Sequence, residues 1–441
     1  MKNIIRNIFL CFIYYNPIIT SLIILPIYSN LSRKENNITF EELKENNFEK
    51  IYKTGIYTNI GIGDPEQIIP TLISLKNSHF FISNRNINGT YIKEKSLSFK
   101  FIENPPKQLN WYHEDFETTI LCQDNFNFKD LRLNKRNYVM SFLLVNSLNK
   151  NIYYKNYIGL APSEKGKLNN ISFLYQLKEK EYIFSSVFTF NFDKSKNNGK
   201  IIIGSFPHEY EPENYKIDNL KIIGKEFFKE WIINFNYFSI INNTIEKNMN
   251  NSNDVIFELE KKIHFKVNFE NYILLPKELS QEFDKIIQSI YKNNCTKYDL
   301  EYLKYTYICN DNINIKDFPI FQLSLKIQKI TFELDYSDLF YKINNTYFLL
   351  IKLNKGDLRY GEIGLPFLSK YQLIFHEKDL FIGYYLKNNN KEFPIIKTIL
   401  VTSIFINIIF ISLYIRRYFK RKNVKKFDYS YIEQNTNDNF I

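Results

Sequence analysis

Cysteine is scarce in this chain of 441 residues: there are four, and Cys11 falls inside an apolar N-terminal stretch. No two of them stand in a CxxC spacing, and nowhere do His and Cys cluster. Structural zinc and dithiol redox chemistry are thereby excluded, and neither a metal nor a cofactor is expected. Concentrated positive charge is also missing from the body of the chain. The formal net charge is +11, but seven Lys/Arg and no acid lie between Arg416 and Lys426. Setting aside the tail after Ile415 together with Lys2, Arg6 and Lys397 leaves +4 over everything else. No helix or loop gathers the stripe that phosphate binding needs, so nucleic acid is excluded as a partner. A hydrophobic content of 44% excludes wholesale disorder. Isoleucine, lysine, asparagine, tyrosine and phenylalanine crowd the whole chain. The Asn-x-Ser/Thr triplets at Asn37, Asn88, Asn170, Asn242, Asn294 and Asn344 therefore carry little information.

Two apolar segments set the expected topology. Residues Ile395 to Ile415 read IIKTILVTSIFINIIFISLYI, about the length that crosses a hydrocarbon core, with Lys397 near enough to one end to snorkel. The basic tail 416–441 that follows is placed in the cytoplasm by the positive-inside rule. At the other end MKNIIRN is a basic n-region, and Ile8 to Tyr28 is apolar apart from an interruption at Asn16 and Pro17. Segment 1–29 reads as a secretory signal or an uncleaved anchor, and 30–52 as a linker. Both alternatives put the intervening domain on the lumenal or extracellular side of a secretory-pathway membrane, as in a single-pass type I protein. Endoplasmic reticulum and cell surface are not distinguished, for the tail lacks a terminal lysine pair. That placement allows cysteine oxidation. Cys295 and Cys309 flank a polar, tyrosine-rich loop, and a bridge between them contributes on the order of 3 kcal/mol by constraining the unfolded chain.

Between the two apolar segments run short aromatic and β-branched stretches such as YTNIGIG, VFTFNF, KIIIGSF and FPIFQLSLKI, broken by Asn, Gly and Pro. This is a mostly β pattern. Helical spacing is confined chiefly to Ser172–Lys180 and Lys277–Tyr291, where Leu279, Phe283, Ile286, Ile287 and Ile290 share one face. More than 300 residues of this kind exceed one simple sandwich and predict two lobes.

Six ordered segments carry a resemblance. Tyr57 to Ser83 is similar to the opening of the pepsin-like aspartic protease family, with IGDPEQ in place of the IGTPPQ-like hairpin. Tyr112 to Asp124 matches the interval from the flap tyrosine to an aspartate, although His113 and Asp115 replace the flap glycines. YIGLAPS (Tyr157 to Ser163) resembles the segment crossing behind the active-site loop, and the stretch ending at Gly204, Ser205 and Phe206 is similar to the interlobe connection. NYILLPKELSQEF resembles the strand and helix after the second catalytic loop, and Glu362 to Tyr385 follows the family's terminal segment interval by interval.

The resemblance implies a mostly β, bilobal pepsin-like domain over 53–386, with lobes of about 53–225 and 226–386. A transmembrane helix follows at 395–415, as in membrane-bound, plasmepsin-like members. It also implies where the catalytic aspartates should be: counting from Gly63 and Pro65 gives Ser74, and counting back from Pro276 gives Val267. Neither is an acid, no acid lies between Pro70 and Ser83, and Glu270 is the nearest carboxylate to the second position. Aspartic proteolysis needs two carboxylates sharing a proton around a water, so a pseudoprotease is expected, binding peptide or protein in the interlobe cleft under Tyr112. An active aspartic endopeptidase with an unusual site, and a surface adhesin or receptor, are the alternatives. A serine nucleophile at Ser74 with His79 or His113 as base is disfavoured, since no oxyanion hole is predictable.

Overall fold

The computed structural model describes residues 22–29, 55–83, 91–102, 108–109, 116–129, 134–148, 156–162, 171–241 except 228, 255–386 except 293, 301 and 344, and 409–417. One compact unit ends at Leu386 and a second covers Lys387–Ile441.

Alternating β-branched and aromatic residues make the first unit a β structure, organised about one antiparallel sheet that both halves of the chain share. Its order runs Ile23–Ser29, Asn198–Ile203, Val187–Asp193, Leu373–His376, Phe381–Tyr385, Leu220–Phe227 and Glu230–Phe235. The halves meet where Phe188 pairs with Phe375. Their rings stack at 4.7 Å between centroids, and Trp231 packs edge-on to Phe375 at 5.4 Å. All three rings are fully buried, an arrangement that adds aromatic area to the sheet's hydrogen bonds where the lobes join. Trp231 also donates its indole N–H to the Leu160 carbonyl at 3.0 Å, satisfying its polar edge behind the N-terminal half.

The first strand corrects the expected leader boundary. Ile23–Tyr28 pairs residue by residue with Asn198–Ile203, and Ile23, Leu25 and Ile27 are at most 2% exposed. The end of the apolar run from Ile8 to Tyr28 is therefore part of the folded domain, because a β-branched run with one face on the core suits a buried strand as well as a leader. Residues 1–21 and the linker 30–52 lie outside the described residues.

Each half adds its own layers. The N-terminal half has the hairpin Ile56–Ile62/Gln67–Ser74, whose turn places Gly63 at φ +87°, open to glycine without strain. It also has the long hairpin Phe116–Lys129/Lys135–Leu148. The expected helices form at Phe173–Glu179 and Lys277–Tyr291, the latter burying Leu279, Phe283, Ile286 and Ile287. In the C-terminal half, Cys295 and Cys309 stand opposite each other in the hairpin Cys295–Leu300/Lys304–Asn310 and are disulfide-bonded. Cys122 is a free, buried thiol, pushed up to about 12 by that burial and so inert.

Among the described residues no helix is long and apolar enough to cross a membrane. Of the expected span, 395–408 lies outside them; the remainder belongs to an exposed helix over 409–417.

Candidate functional site

Two loops of matching construction emerge from the two halves. In the first, Gln67–Ser74 runs parallel to Tyr157–Gly159, with Ile73 opposite Ile158 and Ser74 opposite Gly159. The chain then loops out and returns as Phe80–Ser83, antiparallel to the same central strand, with Phe80 opposite Ile158. In the second, Ile263–Val267 runs parallel to Gly361–Ile363 with Val267 opposite Ile363, and the returning Ile273 also faces Ile363. The central strands read Tyr-Ile-Gly-Leu and Glu-Ile-Gly-Leu. Both glycines press on the loops: a Cβ on Gly159 would come within 2.6 Å of the His79 backbone, and one on Gly364 within 2.0 Å of the Glu270 carbonyl.

Matching Ile158 to Ile363 makes Val267 the counterpart of Ile73, and Asn268 the counterpart of Ser74. Burial agrees, with Ile73 and Val267 at 2% and 3%, followed two residues later by Leu75 and Phe269 at 2% and 3%. Turn chemistry agrees as well. Ser74 Oγ accepts from the Lys76 amide at 3.1 Å, and Asn268 Oδ1 accepts from the Glu270 amide at 3.0 Å, the same side-chain-to-backbone closure two residues on. The second position is thus Asn268, and Val267 is a core residue beneath it. Counting back from Pro276 missed it by one because the second loop is a residue shorter: Phe80 returns six positions after Ser74, but Ile273 five after Asn268. The apolar residue before each, Ile73 and Val267, was the signal that could have fixed the register from sequence.

Lys76 and Glu270 are counterparts too, each two residues beyond its loop's key position, and they form an ion pair that bridges the halves. The Lys76 side chain is 57% exposed and that of Glu270 29%. Around them, Glu362 accepts from Asn268 Nδ2 at 2.9 Å and from the Tyr272 hydroxyl at 2.7 Å, while the Lys352 ammonium lies 3.6 Å above the Tyr272 ring. Burial alone would lower the Lys76 pKa, but the Glu270 and Glu362 carboxylates outweigh it and hold the ammonium above its usual range. Burial would likewise raise Glu270; Lys76, Tyr272 and Lys352 win, and its carboxyl is held below the usual range. Lys352 goes the other way, lowered to about 8 chiefly by burial despite the nearby carboxylates.

This arrangement disables the proton chemistry of a carboxylate dyad. Ser74 and Asn268 have no proton to share near neutral pH, and Glu270, the only acid on either loop, is fixed in its charged form by a partner. A carboxylate stabilised in this way is a poorer base and no acid. Ser74 is no better as a nucleophile: its Oγ accepts from the Lys76 amide, and among the described residues no His or carboxylate is hydrogen-bonded to it as a base. His113 and Tyr112 lie outside the described residues.

A second constellation, Ser185, His376 and Asp379, has triad-like spacing. Ser185 Oγ is 3.3 Å from His376 Nε2, and Asp379 Oδ2 is 3.2 Å from Nδ1. The proton sits on the wrong nitrogen, however. The Asp379 amide donates to Nδ1 at 3.1 Å, so Nε2 carries the hydrogen and donates to Ser185, which keeps its own proton. Burial lowers the His376 pKa and keeps this neutral form. The group closes the turn between Leu373–His376 and Phe381–Tyr385. Among the described residues no cluster of three or more His, Cys, Asp and Glu side chains is placed to hold a metal ion.

No protein-family model matches the chain, and neither does any curated protein. Solved structures do. Basic 7S globulin from soybean aligns with a TM-score of 0.56 at 14% identity, and conglutin gamma, a basic 7S globulin from lupine seeds, with 0.56 at 12%. Each likeness covers 82% of this chain and 94% of the globulin. At such identity the likeness speaks for the fold alone, which is mostly β and bilobal.

Proposed function

We propose that the chain is a non-catalytic, protease-like binding protein that takes an extended peptide between its lobes. The observation that carries this reading is the pair of matched loops, intact in backbone construction and stripped of both acids, with Lys76 and Glu270 joined where they meet. A fold under no demand to cut can keep its groove, and grooves between lobes suit extended chain. The apolar segment 395–415 and the basic cluster behind it anchor the domain on the lumenal or extracellular side. The sequence resemblance to the pepsin-like family and the likeness to two proteins named as globulins both support a protease-like fold used without proteolysis.

The test is to incubate the full chain, solubilised in mild detergent, with a mixture of unstructured peptides and to recover what it retains. Intact peptides bound to the chain are expected. Pepstatin-sensitive cleavage would overturn the non-catalytic half of the proposal, and recovery of no peptide would overturn the binding half.

A further inference from the structure

The last described strand of the first unit, Phe381–Tyr385, ends beside the turn that opens its neighbour Leu220–Phe227. Tyr385 lies opposite Leu220, and the Leu386 amide donates to the Asn219 carbonyl at 3.0 Å. Residues 387–394 then separate Leu386 from Ile395, where the apolar segment 395–415 begins. Even fully extended, that stretch reaches only about 30 Å. If the segment enters a bilayer, the surface around Leu386 is held within that distance of the point of entry.

That surface exposes apolar side chains next to cations. Ile217, two residues before Asn219, is 63% exposed, and Ile222, opposite Gly383, is 56% exposed. At the register shift after Ile222, its carbonyl accepts from Gln328 Nε2 at 3.2 Å, which holds the turn between Ile320–Leu325 and Ile330–Leu334 against the same strand. Ile327, in that turn, is 86% exposed. Each of the three isoleucines directly follows a lysine, namely Lys216, Lys221 and Lys326. Lys326 is paired with Glu260. Setting that pair aside, Lys216, Lys221, Lys225 and Lys329 stand against Asp218 and Glu226.

A single exposed isoleucine is ordinary. Three on adjoining elements, each beside a lysine and all close to the chain's exit, fit a phospholipid surface: the apolar side chain enters the headgroup layer while the ammonium reaches the phosphate oxygens that every phospholipid carries. Resting on the membrane-anchoring reading above, we infer that this surface lies on the bilayer that segment 395–415 enters, with Ile217, Ile222 and Ile327 seated among the headgroups and Lys216, Lys221 and Lys329 on their phosphates. The tether keeps that bilayer within reach, so the contact needs little affinity of its own.

The experiment uses the full chain reconstituted into phosphatidylcholine vesicles. In a Cys11→Ser background, where the free Cys122 is buried, Ile217→Cys, Ile222→Cys and Ile327→Cys are made singly and labelled with an environment-sensitive fluorophore. Leu97→Cys and Tyr302→Cys, exposed on other turns, are the controls. Doxyl-labelled phosphatidylcholine should quench the three surface labels by about twofold or more and shift their emission to the blue, leaving both controls unchanged. Reversing Lys216→Glu, Lys221→Glu and Lys329→Glu together should abolish the quenching at Ile327→Cys. If the chain stays with the vesicles through an alkaline carbonate wash, three outcomes overturn the inference and leave anchoring in place: no quenching at the three positions, equal quenching at all five, or quenching that survives the lysine reversals. A chain stripped from the vesicles by the wash overturns the anchoring reading, and the inference with it.

Discussion

Lys76 and Glu270 occupy equivalent places in the two loops, so one cation and one anion set there form a tie between the halves. Its pH dependence follows from the directions of the two shifts. The Glu270 carboxyl is lowered from an ordinary 4.5, so its contribution is complete above that value and is lost as pH falls through the lowered value. Lys76 is raised from 10.5, so its contribution is complete below that value and is lost as pH rises through the raised one. A double-mutant cycle of Lys76→Met and Glu270→Gln, read by denaturant unfolding, should give a coupling of about 1 kcal/mol at pH 7, modest because Lys76 is solvent-screened. The coupling should be constant from about pH 5 to 10 and should shrink below pH 4. A coupling unchanged at pH 3 would show that the pair does not act through charge. At this scale the sequence was nearly enough: Ser74 and the loss of both acids could be read directly, while Asn268 was hidden by a single deleted residue in its loop.

The strand Ile23–Ser29 illustrates how an element can satisfy two readings. Its residues extend the apolar run of a leader, and they also cover the Asn198–Ile203 edge with Ile23, Leu25 and Ile27 buried. Local composition cannot separate these roles, because both reward the same hydrophobicity. Deleting residues 1–29 should strip about 1.5–3 kcal/mol for each of the three buried side chains and leave an open sheet edge. Against a total stability of about 5–15 kcal/mol, such a chain should lose a large part of its stability, read as a much lower thermal midpoint. Deleting 1–21 should leave the thermal midpoint unchanged, and a mature N-terminus determined by sequencing should fall no later than Leu22. Equal stability of the two truncations would mean that the strand does not hold the sheet. The disulfided hairpin was easier to read, since Cys295 and Cys309 bracket a short polar loop in an otherwise cysteine-poor chain. Their directly opposite register was not legible, because it depends on where the turn falls.

Across the whole molecule the lobes are joined by the sheet and by Trp231, Phe188 and Phe375, not by the cleft contacts alone. Trp231→Ala empties a fully buried site and orphans the Leu160 carbonyl it bonds, so a loss of about 3–5 kcal/mol is expected. Because the ring packs where the halves meet, the loss should appear in one cooperative unfolding transition, followed by tryptophan fluorescence and circular dichroism. Two separated transitions in the variant, one per lobe, would show that each half stands alone.

By itself the sequence determined that the chain is mostly β and bilobal, that a helix follows the second loop, and that no pair of acids remains for aspartic proteolysis. These are properties of residue type and of spacing along a strand or helix, which survive without neighbours. Only the tertiary structure decided that the apolar N-terminal run ends as a sheet strand, that Asn268 is the partner of Ser74, and that Lys76 meets Glu270. Each of those depends on residues far apart in the chain being brought side by side by hydrogen-bonded register. A one-residue change in loop length alters that register without leaving a mark in composition.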